Sequence, residues 1–366
     1  MAAVAARTTV AIESLDVAAY TIPTDEPESD GTLEWDSTTI VVVEVHAGDQ
    51  TGLGYSYASK AAASLVDEKL RDVVEGADAM AVRSTWLRMG EVLRNAGRPG
   101  VGAMAVSAVD TALWDLKARL LDLPLVTLLD AAHDGVPIYG SGGFCSYSMS
   151  RLQEQLGSWV EEGIPRVKLK VGREPERDPK RMDAVREAIG SDPKLYVDAN
   201  GAFGRKQALG WAERFTTEWG VSWFEEPVSS ADFEGLRLLR DHASLEIAAG
   251  EYAYVLRDVH NLVGCVDCLQ LDVTRCCGIT GVLEGAAVAR AHGLEVSAHC
   301  APQLSAHAFA PIPNRRHLEY FHDHVRIESM LFDGVLEPVD GELRPDRSRA
   351  GNGLEVKREE AERWAS

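Results

Sequence analysis

Two kinds of hydrophobic spacing divide the chain. Near the N-terminus, residues 8–20 and 37–45 alternate or run β-branched, which predicts two strands. Residues 21–36 between them hold two prolines, a glycine and several acids. That composition predicts a loop, longer than the usual connection and of the kind that covers functional sites. Trp35 in this loop and Tyr57 in the turn near 55–57 are candidate pocket residues. Helical spacing follows at 61–75, at 81–93 and most clearly at 103–121. There Val109, Ala112, Leu113, Leu116 and Leu120 share a face, and Pro124 gives a stop.

After Pro137 short apolar runs alternate with helical ones. Strands are expected at 137–140, 166–171, 195–199, 222–225, 247–249, 268–273, 295–298 and 317–320. Helical patterns lie between most of them, at 152–162, 179–189, 205–218, 233–242 and 281–292. Eight strands in a βα series predict an α/β fold with a parallel barrel and helices outside, and the last helix is dispensable to that reading. The division is an N-terminal α+β module at 1–125, a barrel at 126–325 and a Gly/Pro/charge-rich segment at 326–366 that returns to the first module.

Chemistry enters through what terminates those strands. Lys168 and Lys170, then Asp198 with Asn200, Glu225, Glu251, Asp272, His299 and Glu319 recur every 20 to 28 residues. Each step is about one βα unit, so ionisable groups gather at one end of the barrel, the end that carries active sites. Any one of them fits a solvated loop; seven in register do not. Asp198, Glu225 and Glu251 stand on three adjacent strands, where they would repel one another without a cation. Hard oxygen donors with no cysteine or histidine among them suit Mg²⁺, with Mn²⁺ as a substitute. The tetrapeptide Phe224–Pro227 offers two acids, Glu225 and Glu226; on a strand they point to opposite sides, so only one faces the metal. Lys168 and Lys170, at i and i+2, share a face. Their mutual repulsion and desolvation are expected to lower a lysine pKa and supply a neutral amine as base. Asp272, one βα unit before His299, is placed to orient that imidazole. His307, His317, His322 and His324 read as structural or surface residues.

Such a set can remove a proton α to a carboxylate, because a divalent cation stabilises the enediolate that forms. Lys170 and His299, on roughly opposite sides of the barrel, would reach opposite faces of the substrate carbon.

Composition narrows the partners. Against 37 basic residues stand 57 acidic ones, a formal charge of −20, which argues against nucleic acid and anionic membranes as partners. No run approaches the roughly 18 apolar residues of a membrane span. The N-terminus lacks a Lys/Arg-led apolar core with a cleavage site, and the six cysteines form no disulfide framework. The expected setting is the reducing cytoplasm, and the Cys265–Cys268 pair reads as packed thiols rather than a zinc site.

At these residues the sequence resembles the enolase superfamily, specifically the mandelate racemase subgroup. The motifs are Lys168-Leu-Lys170, Asp198-Ala-Asn200, Trp-Phe-Glu225-Glu-Pro, Ala-Ala-Gly-Glu251, Gln-Leu-Asp272, Ser-Ala-His299 and His-Leu-Glu319-Tyr. The helix that begins Gly102-Ala-Met-Ala-Val resembles the family's N-terminal module. The resemblance implies a (β/α)7β TIM-like barrel under an α+β capping domain, with specificity from N-terminal loops. It implies Mg²⁺ on Asp198, Glu225 and Glu251, and Lys170 and His299 as the two acid/base groups, His299 oriented by Asp272. Lys168 would sit by the substrate carboxylate, Glu319 would donate a hydrogen bond to the enediolate, and Asn200 would contact substrate or metal-bound oxygen. It also implies a homo-oligomer, dimer or octamer. One departure is Cys277, where the family usually has glycine.

The expected substrate is a small carboxylate, a sugar acid or hydroxy acid. Dehydration of a sugar acid to a 2-keto-3-deoxy acid leads among the reactions, since such dehydratases are numerous in the subgroup. Racemisation or epimerisation is the alternative. Cycloisomerisation ranks below it, because those relatives usually carry lysines on both sides. A non-catalytic ligand-binding barrel ranks last, against the intact set of ligands and bases.

Overall fold

The computed structural model describes residues 9–366. Thr8, the first residue of the first expected strand, and most of the stretch read for a leader lie outside the described residues. Three strands, β1 (Ser14–Ser29), β2 (Glu34–Ala47) and β3 (Gln50–Tyr57), pair antiparallel in sequence order. Both faces of this sheet are covered, which is why β2 reads as an unbroken apolar run. Val41, Val43 and Val45 pack with Ala105, Val109 and Leu113 of the helix Val101–Leu120. Ile40 and Val42 turn to the core shared with the barrel. Gly52 and Gly54 let β3 and that helix meet backbone to backbone; a Cβ at either would collide with the carbonyls of Ala112 and Ala108.

The segment 21–36 is not the loop that its prolines and acids suggested. The β1–β2 ladder runs on through Pro23, shifts register between Pro23 and Glu28, and resumes at Glu28↔Trp35 and Ser29↔Glu34. A bulge absorbs the awkward residues and bends the hairpin without ending it.

Eight parallel strands follow: β4 (Val136–Gly142), β5 (Arg166–Lys170), β6 (Lys194–Asp198), β7 (Val221–Glu225), β8 (Glu246–Ala249), β9 (Cys268–Leu271), β10 (Glu295–Ala298) and β11 (Arg315–Phe321). They pair in sequence order, and β11 closes on β4 through Leu318↔Ile138 and its neighbours. One helix lies between each consecutive pair, including Leu256–Leu262 and Pro302–Phe309, whose short patterns the sequence reading passed over. The fold is therefore the α/β parallel barrel that the sequence pattern predicted, in the (β/α)7β form that the resemblance implied, with an N-terminal antiparallel sheet. Tyr139, Tyr196 and Trp223 fill the barrel interior with His317, whose ring centroid lies 4.7 Å from Tyr139 and 5.1 Å from Trp223. Each stands two residues before an ionisable strand end or in the same pleat layer, so this aromatic floor lies one layer beneath the charged groups.

The C-terminal residues run back to the first sheet. Phe332–Asp333 pairs with Glu355–Val356, the Leu53 carbonyl accepts from Asn352 Nδ2 at 2.9 Å, and Ala19 O accepts from Ser366 N at 3.0 Å. Asp115, fully buried, accepts from Leu53 N and Arg119 Nε, both at 2.8 Å. All six cysteines are free thiols. Cys277 takes φ +68°, a left-handed geometry natural to glycine, the residue that the resemblance leads one to expect there. Among the described residues no helix is long and apolar enough to cross a membrane.

Candidate metal and acid/base centre at the barrel mouth

Parallel register sets the first row of the site. Lys170 pairs with Asp198, and Asp198 with Glu225, so three successive strands end level with one another. Glu251 lies two residues beyond β8, and its carboxylate is also buried. Lys170 Nζ donates to Asp198 Oδ2 at 2.6 Å. Lys168, one pleat deeper and fully buried, lies 2.6 Å from Glu225 Oε2, 2.8 Å from Glu319 Oε1 and 3.5 Å from Asp198 Oδ2.

These carboxylates reverse the expectation for the lysines. Burial pushes both ammonium groups down and Lys168 lowers Lys170 further, but the surrounding carboxylates outweigh this and raise both above the ordinary lysine range. Mutual repulsion does not set the lysine charge here. Burial, then the neighbouring Asp198, raises Glu225 to about 7.

The donor set fits a hard divalent cation. Glu225 Oε1 and Glu251 Oε2 are buried with no hydrogen-bond partner, a costly arrangement for carboxylates unless a cation faces them. Glu225, Glu251 and His299 can each present a ligand atom within 4.8 Å of the others. Asp198 Oδ1 accepts from Asn200 N at 2.9 Å, while the Asn200 side-chain oxygen is buried and unpartnered.

The opposite wall carries the imidazole. Asp272 Oδ2 is 2.7 Å from His299 Nδ1, which leaves Nε2 facing the cluster, 3.4 Å from Glu251 Oε2. Burial lowers the His299 pKa, but Glu251, Glu319 and Asp272 together raise it above its usual value. Burial opposes the charge on Asp272 as well, yet the bond to His299 and the Arg275 guanidinium hold it below the usual carboxylate range. Glu319 accepts from Ser141 Oγ at 2.6 Å and from Cys300 N at 3.2 Å.

The hairpin tip lies across this mouth. Ser29 O accepts from Cys145 N, Pro27 O from Ser146 Oγ, and Leu33 O from Arg173. A Cβ on Gly31 would meet the carbonyls of Val171 and Ala199, so only glycine allows the tip to rest on the ends of β5 and β6. Trp35 donates to Glu28 Oε2 at 2.8 Å and meets Phe144 edge-on, its ring 5.6 Å away. Tyr57 stacks on His324 at 3.3 Å, and its hydroxyl donates to His324 O at 3.3 Å. A separate apolar cavity of about 280 Å³ lies between Trp86 and Cys277, and none of the mouth's ionisable residues lines it.

Glu28 carries a pH prediction. Burial, then Asp323, raises its pKa from 4.5 to about 9, so the folded chain holds a proton there that the unfolded chain releases. Stability from this group is full below about pH 4.5 and is lost as pH rises toward about 9. Glu28→Gln should be more stable than the wild type by over about 1 kcal/mol at the alkaline end, with the gap closing toward about pH 5. Thermal unfolding across that range reads it; parallel profiles would exclude the buried proton.

Sequence reasoning missed several groups. Arg275 donates to Glu251 Oε1 at 2.9 Å and lies 3.4 Å from Asp272 Oδ2; its place three residues after Asp272 was the available signal. Glu226 was expected to point away. The strand ends at Glu225, Glu226 turns at φ +36°, and its buried carboxyl is charged against by Glu251 and Asp198. Left-handed backbone recurs after strand ends at Asn200, Cys300 and Ala301, strain concentrated at the mouth.

Comparison with known proteins agrees with this geometry. Residues 151–361 match the family described as Enolase C-terminal domain-like, and residues 16–130 match the Mandelate racemase / muconate lactonizing enzyme N-terminal domain. A mandelate racemase/muconate lactonizing enzyme-like protein from Rubrobacter xylanophilus is 60% identical, with TM-score 0.96, covering 97% of this chain and 100% of that one. The 3,6-anhydro-alpha-L-galactonate cycloisomerase of Streptomyces coelicolor is 32% identical over 331 residues, 87% of this chain and 90% of the relative. The L-talarate/galactarate dehydratase of Salmonella typhimurium LT2, solved with Mg and L-lyxarohydroxamate, is 29% identical, with TM-score 0.90, covering 100% of this chain and 95% of that one. The chain belongs to the enolase superfamily, in its mandelate racemase subgroup, and is an enzyme of the lyase or isomerase kind.

Proposed function

We propose that the chain abstracts the proton α to the carboxylate of a small sugar acid and then expels the β-hydroxyl, giving a 2-keto-3-deoxy acid. The observation that carries this is the pairing of Lys170 on one wall with the Asp272–His299 pair on the other, around buried carboxylates with unpartnered oxygens. Asp198, Glu225 and Glu251 would hold Mg²⁺, with Mn²⁺ as a substitute. When bound, the cation supplies positive charge against the enediolate that forms from the substrate carboxylate. Lys168 meets the incoming carboxylate, and Asn200 contacts substrate. Either Lys170, which must first give up the proton that Asp198 holds on it, or His299 takes the α-proton, and His299 returns a proton to the leaving hydroxyl. Burial raises Glu319, but Lys168 and His299 hold it well below the usual carboxylate range, so the donor role toward the enediolate requires that it first take up a proton from solvent. Trp35 and Tyr57 belong to the pocket's cover and wall. In this reading 1–125 caps, 126–325 catalyses and 326–366 returns to the cap, within a cytoplasmic homo-oligomer, a dimer or octamer.

Racemisation or epimerisation is the second reading, favoured by the same two-sided acid/base pair. The deciding experiment incubates the Mg²⁺-loaded protein with a library of acid sugars and hydroxy acids in D₂O. A 2-keto-3-deoxy product is expected; inverted, deuterated starting acid would establish the second reading. A library in which no acid exchanges or reacts would overturn both.

A further inference from the structure

Beside the carboxylate cluster, three donor atoms of different chemistry meet. His299 Nε2 lies 3.5 Å from Cys300 Sγ, which is 3.5 Å from Glu319 Oε2. The third side, His299 Nε2 to Glu319 Oε2, is 3.6 Å. Donors on a tetrahedral zinc ion, with Zn–S about 2.3 Å and Zn–N and Zn–O about 2.0–2.2 Å, stand roughly 3.4–3.6 Å apart. The triangle therefore already has the dimensions of one face of a zinc coordination sphere.

The outer contacts also match. Asp272 fixes His299 through Nδ1 and leaves Nε2 free, the carboxylate–histidine arrangement that supports metal-bound imidazoles. Ser141 and Lys168 occupy Glu319 Oε1, while Oε2 accepts from Cys300 N at 3.2 Å and keeps a lone pair toward Cys300 Sγ. Glu251 Oε2, the orphaned oxygen already counted toward the all-oxygen set, lies 3.4 Å from His299 Nε2, so further negative charge faces this triangle. The nearby cations Lys168 and Arg275 oppose a further positive charge, but each already lies against two or more carboxylates.

We infer that His299, Cys300 and Glu319 form a second metal site, selective for a thiophilic divalent ion such as Zn²⁺, and that filling it stops the reaction. Magnesium disfavours imidazole and thiolate, so it is left on the all-oxygen set, while zinc accepts N, S and O together. Coordination consumes the His299 Nε2 lone pair and releases the Cys300 thiol proton to solvent. The inhibitory half rests on the proposed acid/base role of His299; the binding half does not.

Co²⁺ added to the Mg²⁺-loaded protein is the probe for binding. A thiolate-to-cobalt charge-transfer band should develop at one equivalent, vanish in Cys300→Ser and Cys300→Ala, and persist in Cys145→Ser. In the turnover or exchange assay, Zn²⁺ should inhibit the wild type reversibly to chelator with Mg²⁺ in excess. Cys300→Ser should need at least roughly tenfold more Zn²⁺ for the same inhibition. No band, or the same band in both Cys300 variants, overturns the site. A band with undiminished turnover overturns its inhibitory role. Should the wild type act on no acid at all, the reaction reading fails while the band still decides the site.

Discussion

Replacing Lys170 by Met or His299 by Asn should each lower turnover by roughly 10²–10⁴-fold, the usual contribution of a positioned acid or base. The two losses should differ in kind. Lys170 stands on the β5 side of the mouth and His299 after β10, with the carboxylate strands β6, β7 and β8 between them. Each group addresses one face of the substrate carbon, so each variant should lose α-proton exchange in D₂O from one face only. Nuclear magnetic resonance of recovered substrate, run on epimeric acids, distinguishes the faces. Unaltered turnover in both variants would sink the assignment of bases. The Asp272→Asn variant should resemble His299→Asn in direction, because the neutral amide still fills the place beside Nδ1 but no longer supports positive charge on the imidazole.

The second large effect is on stability. Lys168 is buried among Glu225, Glu319 and Asp198, none of which reaches solvent. Lys168→Met removes the one ammonium shared by all three. Breaking a buried pair from one side costs about 3–5 kcal/mol, because the remaining charges keep their desolvation and lose their partner. Urea unfolding in the presence of chelator should show that loss. Added Mg²⁺ should restore part of it, since a ligand at a hundred times its Kd stabilises by about 2.7 kcal/mol. A variant as stable as the wild type in chelator would mean that the ammonium does not neutralise the cluster.

Much of this was legible because barrel strands repeat at a nearly constant interval and end on their functional residues. The expected strand 295–298 coincides with β10, and the helix expected at 233–242 coincides with Phe233–His242. Lys168 and Lys170 share a face because a strand has period two, and that needs no tertiary knowledge. What failed was local inference about residues whose environment is made by distant chain. Residues 21–36 have turn composition, but β2 supplies a pairing partner on both sides of a bulge and overrides it. Two adjacent lysines repel in isolation, yet Asp198, Glu225 and Glu319 arrive from other strands and reverse the sign. The alternation that sent Glu226 outward ended one residue earlier, where a left-handed turn redirects it. The spacing of Arg275 three residues after Asp272 marked it for that acid, but nothing local tied it to Glu251, which arrives from another strand.

The threading of residues 351–366 through the first sheet bears on how the protein comes apart. Gly351 exchanges backbone bonds with Leu123 and Leu125, and Ser366 reaches Ala19. Asp115 joins β3 to the helix Val101–Leu120 beside this strap. A sheet fastened from both directions cannot swing away as a rigid body while the barrel stays intact, so melting should occur as one cooperative event. The part of the sheet with the fewest ties to this strap is the tip at residues 24–35. In amide hydrogen exchange, that tip should exchange far faster than β2 and β3, which should share the slow rate of the barrel strands.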